Sequence, residues 1–154
     1  ILGSHYPLRQ RLFQLVKKLP AKYSYKIFPH VGYEHDDSYT DKYAKQFASY
    51  INSCKIVITD SGTTNSRFAK YIEIPMCGTA IAADLYDDHP KDIEEIRKFL
   101  IHINNGMSDE KIISILTELI ENKKLLNEII KIGINYTNNF TQEKYAERFI
   151  NLIR

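Results

Sequence analysis

Near the middle of the chain stands Lys55-Ile56-Val57-Ile58-Thr59-Asp60, a short, apolar and β-branched run that ends in an acid and is followed by Ser61 and Gly62. A run of this kind, without polar alternation, is typical of a strand that is covered on both faces in a parallel sheet. A similar run follows at Thr79-Ala80-Ile81-Ala82-Ala83-Asp84, and Phe99 to Ile103 is a candidate for a third strand. The pattern predicts parallel strands that are joined by helices.

Helical periodicity fills most of the remaining sequence. We predict helices at Pro7 to Leu19, about Thr40 to Ser53, about Ser66 to Ile74, Asp92 to Arg97, Asp109 to Asn122, about Lys124 to Ile134 and Gln142 to Ile153, and a further strand at Tyr25 to Phe28. Ser108 and Thr141 are suited to N-cap two of these helices. The alternation indicates a single α/β domain over residues 1–154: a Rossmann-like open parallel sheet with helices on both faces and a helical C-terminal tail.

Composition excludes several classes of protein. With 44% hydrophobic and 26% charged residues the chain reads as globular and cytoplasmic rather than disordered. A formal charge of +2, spread along the chain, does not indicate a nucleic-acid partner, and no apolar run approaches a transmembrane segment. Cys54 and Cys77 lack metal-ligand spacing, so we expect reduced core thiols and no metal. Because the sequence begins at Ile1 without Met, we interpret it as a fragment of a larger protein.

The stretch Asp60-Ser61-Gly62-Thr63-Thr64-Asn65-Ser66 is the first candidate site. Ligands of open parallel sheets bind at the carboxyl ends of the strands. A small, hydroxyl-rich loop at that place can offer backbone N–H groups and a helix N-terminus to a phosphate. A well-capped turn without a ligand is the competing interpretation, and the spacing alone does not separate the two.

Asp60 could also belong to three other kinds of site: an aspartic protease, a phosphatase or a phospho-acceptor domain. An aspartic protease needs two such carboxylates in an all-β fold, and this chain has one copy and many helices. A phosphatase-like Asp-x-Asp pair fails because Gly62 stands at the second position. Asp60 fits a phospho-acceptor by its position at the end of a strand. Signalling receivers also need an acidic pair after their first strand to hold Mg²⁺, and the residues at that place in this chain are Gly3-Ser4-His5. That alternative stays open.

A further segment carries a family resemblance. It runs Lys70-Tyr71-Ile72-Glu73-Ile74-Pro75-Met76-Cys77-Gly78-Thr79-Ala80-Ile81-Ala82-Ala83-Asp84. It resembles the second half of the signature of retaining GT-B glycosyltransferases, in which a helix Glu precedes a Cys-Gly-Thr turn, an apolar strand and Asp. Similar stretches in the group 1 and spore-protein-like families match Tyr6-Pro7-Leu8-Arg9, His30-Val31-Gly32-Tyr33, Ser53-Cys54-Lys55-Ile56-Val57, Met107-Ser108-Asp109-Glu110 and Tyr145-Ala146-Glu147-Arg148-Phe149. The resemblance covers nearly the whole chain.

The resemblance implies the C-terminal, nucleotide-sugar-binding domain of such an enzyme, and it implies roles for particular residues. Glu73 would accept hydrogen bonds from the ribose hydroxyls, and Arg9 would neutralise phosphate charge. The diphosphate would be held by Ser61, Gly62, Thr63, Thr64 and Asn65, and the base would be contacted by His30 and Tyr33. The plain alternatives are an exposed helix Glu, a solvated helix Arg and ordinary loop packing.

The expected reaction transfers a sugar from a UDP- or GDP-sugar to an acceptor hydroxyl, as in a hexosyltransferase of carbohydrate biosynthesis, without a metal or other cofactor. The acceptor side and the catalytic base would belong to a missing N-terminal domain, so we expect this chain alone to bind nucleotide weakly and not to turn over. The first acid of the family signature falls at Asn65, which leaves the sugar and the retaining mechanism open. Its loss favours the alternative of a non-catalytic Rossmann-like scaffold.

Overall fold

The computed structural model describes residues 6–28, 37–63, 69–86 and 90–152. The helices are α1 (Pro7–Leu15), α2 (Asp37–Asn52), α3 (Lys70–Met76), α4 (Pro90–Arg97), α5 (Asp109–Glu121), α6 (Lys123–Thr137) and α7 (Gln142–Leu152), and the strands are β1 (Ile56–Ile58), β2 (Ala80–Ala83) and β3 (Ile101–His102). Single 3₁₀ turns follow α1 at Val16–Lys18 and α6 at Asn138–Phe140.

The described strands form one parallel sheet in the order β1-β2-β3. Val57 pairs with Ile81, and Ala82 pairs with Ile101. The crossover from β1 to β2 contains α3, and the crossover from β2 to β3 contains α4. Every residue of the central strand β2 is buried, as its uninterrupted apolar sequence predicts. The predicted parallel sheet is confirmed.

Helices cover both faces of this sheet. Ala80 and Ala82 point into a core that α1 and α5 complete, while Ile81 and Ala83 point to the opposite side, against α2, α3 and α4. This division follows from the strand period of two, which sends successive side chains to opposite faces. Helix α6 contributes to both cores. The described residues therefore form an α/β fold in which helices cover both faces of a parallel sheet, as in the Rossmann-like class.

The predicted strand at Tyr25 to Phe28 is wrong. Residues 24–27 have no regular structure, and only Phe28 forms a single bridge. Tyr25 and Ile27 are 47% and 40% exposed, so this aromatic and β-branched run has no cover on that side. Phe28 instead stacks on Tyr50 of α2, with ring centroids 4.5 Å apart. Side-chain type alone suggested a strand here, but burial decides whether such a run pairs.

The predicted helix caps are confirmed. The Ser108 hydroxyl accepts a hydrogen bond from the Lys111 N–H at 3.2 Å, and the Thr141 hydroxyl accepts one from the Lys144 N–H at 3.3 Å. Cys54 and Cys77 are free thiols, half-buried rather than in the centre of the core. Among the described residues no helix is long and apolar enough to cross a membrane. The predicted start of α3 near Ser66 lies outside the described residues.

Gly133 allows α6 to lie directly against α3. A β-carbon at this position would lie 3.0 Å from Cβ of Pro75 and 3.4 Å from Cδ2 of Phe99. We expect Gly133→Val to lower the free energy of unfolding by about 1–3 kcal/mol, because the added methyl groups overpack this contact. Urea unfolding measures the change. Lys131→Val, at an exposed position of the same helix, is the control and should cost roughly 0.5 kcal/mol or less. Equal stability of the two variants would contradict the close packing.

Candidate functional site

Two acids follow neighbouring strands at the same edge of the sheet. Asp60 comes two residues after β1, and Asp84 comes directly after β2. Both are buried, as are Thr59 and Ser61 beside them. Parallel strands end at the same edge, and the two carboxylates accept hydrogen bonds from neighbouring backbone N–H groups, Asp84 from Ser61 and Asp60 from Gly62. This is the edge at which ligands of open α/β sheets bind.

Asp60 is paired with Arg9 in the interior. The Arg9 guanidinium Nη2 donates to Asp60 Oδ1, and the Arg9 backbone N–H donates to Asp60 Oδ2 at 3.2 Å. The two side chains are 1% and 2% exposed. Arg9 lies in the first turn of α1, where backbone N–H groups lack partners within the helix. The carboxylate therefore neutralises the arginine and also caps the positive end of α1.

The rest of the Arg9 guanidinium is less well satisfied. Its Nε and Nη1 atoms are buried and have no hydrogen-bond partner among the described residues. The Tyr6 ring lies 5.0 Å from the guanidinium carbon. A buried donor without an acceptor costs about 1–3 kcal/mol, and more when it is charged. The solvated-arginine interpretation is wrong, and the unpartnered donors call for an oxygen acceptor.

Asp84 is held by uncharged donors. Its Oδ1 accepts from the Ser61 N–H at 2.7 Å, and its Oδ2 accepts from the Ser61 hydroxyl at 2.8 Å. The Tyr71 hydroxyl donates to the Asp84 carbonyl oxygen at 2.8 Å and to Oδ1 at 3.0 Å. Burial, and then the negative charge of Asp84, raise the pKa of Tyr71 far above its ordinary value. Tyr71 therefore remains a protonated donor.

These contacts change the expected use of the loop. The Gly62 N–H donates to Asp60 Oδ1 at 3.2 Å, and Gly62 has a positive φ of 68°, which favours glycine. The N–H and hydroxyl of Ser61 and the N–H of Gly62, which we predicted to hold a diphosphate, thus donate inward to Asp84 and Asp60. The reason is that buried carboxylates require donors. Thr63 is exposed, and Thr64 and Asn65 lie outside the described residues.

Glu73 lies on α3 but apart from this network. Its side chain is exposed, and no hydrogen bond between described residues joins it to Ser61, Gly62 or Thr63. It follows Tyr71 by two positions, which is roughly 200° around a helix, so the two side chains face in different directions. Partial desolvation raises the pKa of Glu73 more than nearby Lys70 lowers it. The predicted base-contacting residues, His30 and Tyr33, lie outside the described residues.

Two residues of the network were missed in the sequence. The sequence marks Asp84 only as the end of a strand and Tyr71 only as part of a motif. The available signal was the Asp that ends each of the two apolar runs, because parallel strands bring their carboxyl ends together. No such signal marks Tyr71. Within the described ranges no group of three or more His, Cys, Asp or Glu residues is arranged to hold a metal.

The geometry also bears on the phospho-acceptor alternative. A phosphoryl acceptor must present a carboxylate oxygen to solvent. Asp60 is buried, and its oxygens already accept hydrogen bonds from Arg9 and Gly62. The arrangement therefore argues against Asp60 as a phosphorylation site.

A scan against models of protein families gives no match to the chain, and searches of curated proteins and of solved structures give no match either.

Proposed function

We propose that the chain is the donor-binding domain of a GT-B glycosyltransferase and binds a nucleoside-diphosphate sugar at the carboxyl edge of β1 and β2. The observation that carries the proposal is the Arg9 guanidinium, whose Nε and Nη1 have no partner among the described residues. Because the Arg9 side chain is only 1% exposed in the free chain, it meets a diphosphate only if the groups that cover it move aside on binding. A diphosphate supplies several charged oxygens, and arginine suits their geometry better than a point charge does.

Glu73 gives secondary support. Partial desolvation raises the pKa of its carboxyl group, and carboxyl groups with shifted pKa values are found more often at functional sites than elsewhere. Its exposure leaves the oxygens accessible to the two hydroxyls of a ribose. Together with the resemblance of the Lys70 to Asp84 segment to the family signature, this supports a ribose site on α3. The diphosphate would lie beside the loop after β1, although the Ser61 and Gly62 donors face the two buried acids.

In this proposal the domain contributes binding and electrostatics to the transfer. The bond between the sugar and the nucleotide diphosphate breaks as the acceptor hydroxyl attacks, and negative charge grows on the leaving diphosphate. Once the diphosphate is bound, the Arg9 side chain, which Asp60 holds in place, stabilises that charge from a fixed position. The acceptor and the base that takes its proton belong to a second domain, so this chain alone binds nucleotide without turnover.

One observation favours a non-catalytic scaffold instead. Asp60 already neutralises the Arg9 charge. The donors of Ser61 and Gly62 already form hydrogen bonds with the two buried acids. In this alternative, the sole role of the network is to join α1, β1, β2 and α3. In that case the same edge would bind no nucleotide.

Calorimetric titration of the chain with UDP, GDP, ADP and CMP separates the two functions. We expect weak but saturable binding of one nucleoside diphosphate, which also names the base. Failure of folded protein to bind any of the four would favour the scaffold. Turnover of a common donor sugar by this chain alone would contradict the assignment of the base to another domain.

The role of Glu73 has its own test. We expect Glu73→Ala to weaken nucleotide binding about tenfold or more, since hydrogen bonds to a charged acceptor contribute about 1.5–3 kcal/mol. In the unmodified chain, binding should weaken as the pH falls through the pKa of Glu73, at a higher pH than for an ordinary Glu because that pKa is raised. Glu128→Ala, at an exposed position on α6, is the matched control. Equal affinities of the two variants would remove Glu73 from the site.

A further inference from the structure

We propose that Asp84 and Tyr71 are positioning residues that hold the segment Ser61 to Thr63 in one preformed conformation beside the site proposed for the diphosphate. The inference rests on the proposed function for the identity of the ligand. It goes beyond that function because neither residue is assigned a contact with the nucleotide. Each acts through Ser61.

The first step is the double grip of Asp84 on Ser61. One carboxylate accepts both the Ser61 N–H at 2.7 Å and the Ser61 hydroxyl at 2.8 Å. The two bonds fix the backbone and the side-chain rotamer of the same residue. Because Asp84 directly follows the buried central strand β2, the loop after β1 is tied to the central strand of the sheet.

The second step is the attachment of Asp84 to α3. The Tyr71 hydroxyl donates to both the carbonyl oxygen and Oδ1 of Asp84, and the Tyr71 ring is buried in the core beneath α3. Helix α3 also carries Glu73. Tyr71 therefore sets the distance between the loop after β1 and the helix that would hold the ribose.

The third step concerns charge. A bare carboxylate beside a phosphate would repel it. Three donors, the N–H and hydroxyl of Ser61 and the Tyr71 hydroxyl, point at Asp84 and partly offset its negative charge. Removal of the Tyr71 hydroxyl should therefore both loosen Ser61 and leave Asp84 a poorer neighbour for an anion.

The test compares Tyr71→Phe with Tyr145→Phe, which removes the hydroxyl of a side chain that is largely exposed on α7. Thermal unfolding checks that each variant is folded, amide hydrogen exchange of Ser61 and Gly62 reports on the loop, and calorimetry with UDP and GDP reports on the ligand. We expect Tyr71→Phe to remain folded, to exchange the Ser61 amide at least tenfold faster and to bind the nucleotide about fivefold to tenfold more weakly. Tyr145→Phe should match the unmodified chain. If Tyr71→Phe does not fold, Asp84→Asn takes its place and should also accelerate exchange at Ser61.

Unchanged exchange at Ser61 in the folded variant would overturn the positioning role, whether or not a nucleotide binds. Faster exchange with unchanged affinity would overturn its connection to the ligand. If the unmodified chain binds no nucleotide, the proposed function fails, together with the connection to this ligand. The exchange rates of the free protein still decide whether Tyr71 positions the loop.

Discussion

We expect Asp60→Ala to lower the free energy of unfolding by about 3–5 kcal/mol, because the substitution leaves the Arg9 charge buried without its counter-ion. It also removes the acceptor of the Arg9 and Gly62 backbone N–H groups. Urea or thermal unfolding followed by circular dichroism measures the change, and a variant too unstable to purify would exceed the expected range.

Two controls separate this effect from general damage. Adding Arg9→Met to Asp60→Ala removes the orphaned charge, so the double variant should be more stable than Asp60→Ala alone. Glu94→Ala breaks the exposed pair with Arg97 on α4 and should cost less than about 1 kcal/mol. If Asp60→Ala costs no more than Glu94→Ala, the buried pair does not hold α1 to the sheet.

Phe99→Ala is expected to cost about 3–5 kcal/mol, as is usual when a buried aromatic ring is deleted from a core. Phe99 is only 2% exposed and fills the space between β2, α3 and α6. Its ring centroid lies 5.1 Å from that of Tyr136, and it comes close to Gly133. The large effect follows because Gly133 of α6 already lies close to Pro75 of α3, which leaves α6 little room to move into the cavity.

Phe149→Ala is the matched control for this deletion. Phe149 lies on α7 and is 56% exposed, so removing its ring should change the free energy of unfolding by no more than about 0.5 kcal/mol. Similar losses for the two variants would mean that α7 is packed against something in solution. A small loss at Phe99 would mean that the core between α3 and α6 is looser than described.

Much of the fold could be predicted because it depends on local patterns. The apolar run that contains β2 has few alternatives to a buried central strand, and Ser108 marks the start of α5 through a hydrogen bond to a residue three positions away. The strand predicted at Tyr25 to Phe28 failed because its formation depends on distant cover. The sequence of those four residues does not determine whether another part of the chain buries them.

The site was less accessible to prediction for the same reason. That Asp60 and Asp84 meet at one edge follows from parallel topology. The pair of Arg9 and Asp60 joins residues that are 51 positions apart, and an arginine next to an apolar helix stripe is usually solvated. The inward direction of the Ser61 and Gly62 donors depends on both acids being buried, which the sequence does not state.

The proposed function requires a nucleoside diphosphate to bind at the carboxyl edge of the sheet. Titration of ¹⁵N-labelled chain with UDP and GDP at millimolar concentration, followed by the backbone amide shifts, tests it directly. We expect the largest saturable changes at Gly62 and Thr63 and in α3 around Glu73. Changes that centre instead on the cavity of about 310 Å³ at the opposite edge, lined in part by Tyr25, Lys55 and Leu116, or no changes at all, would contradict it.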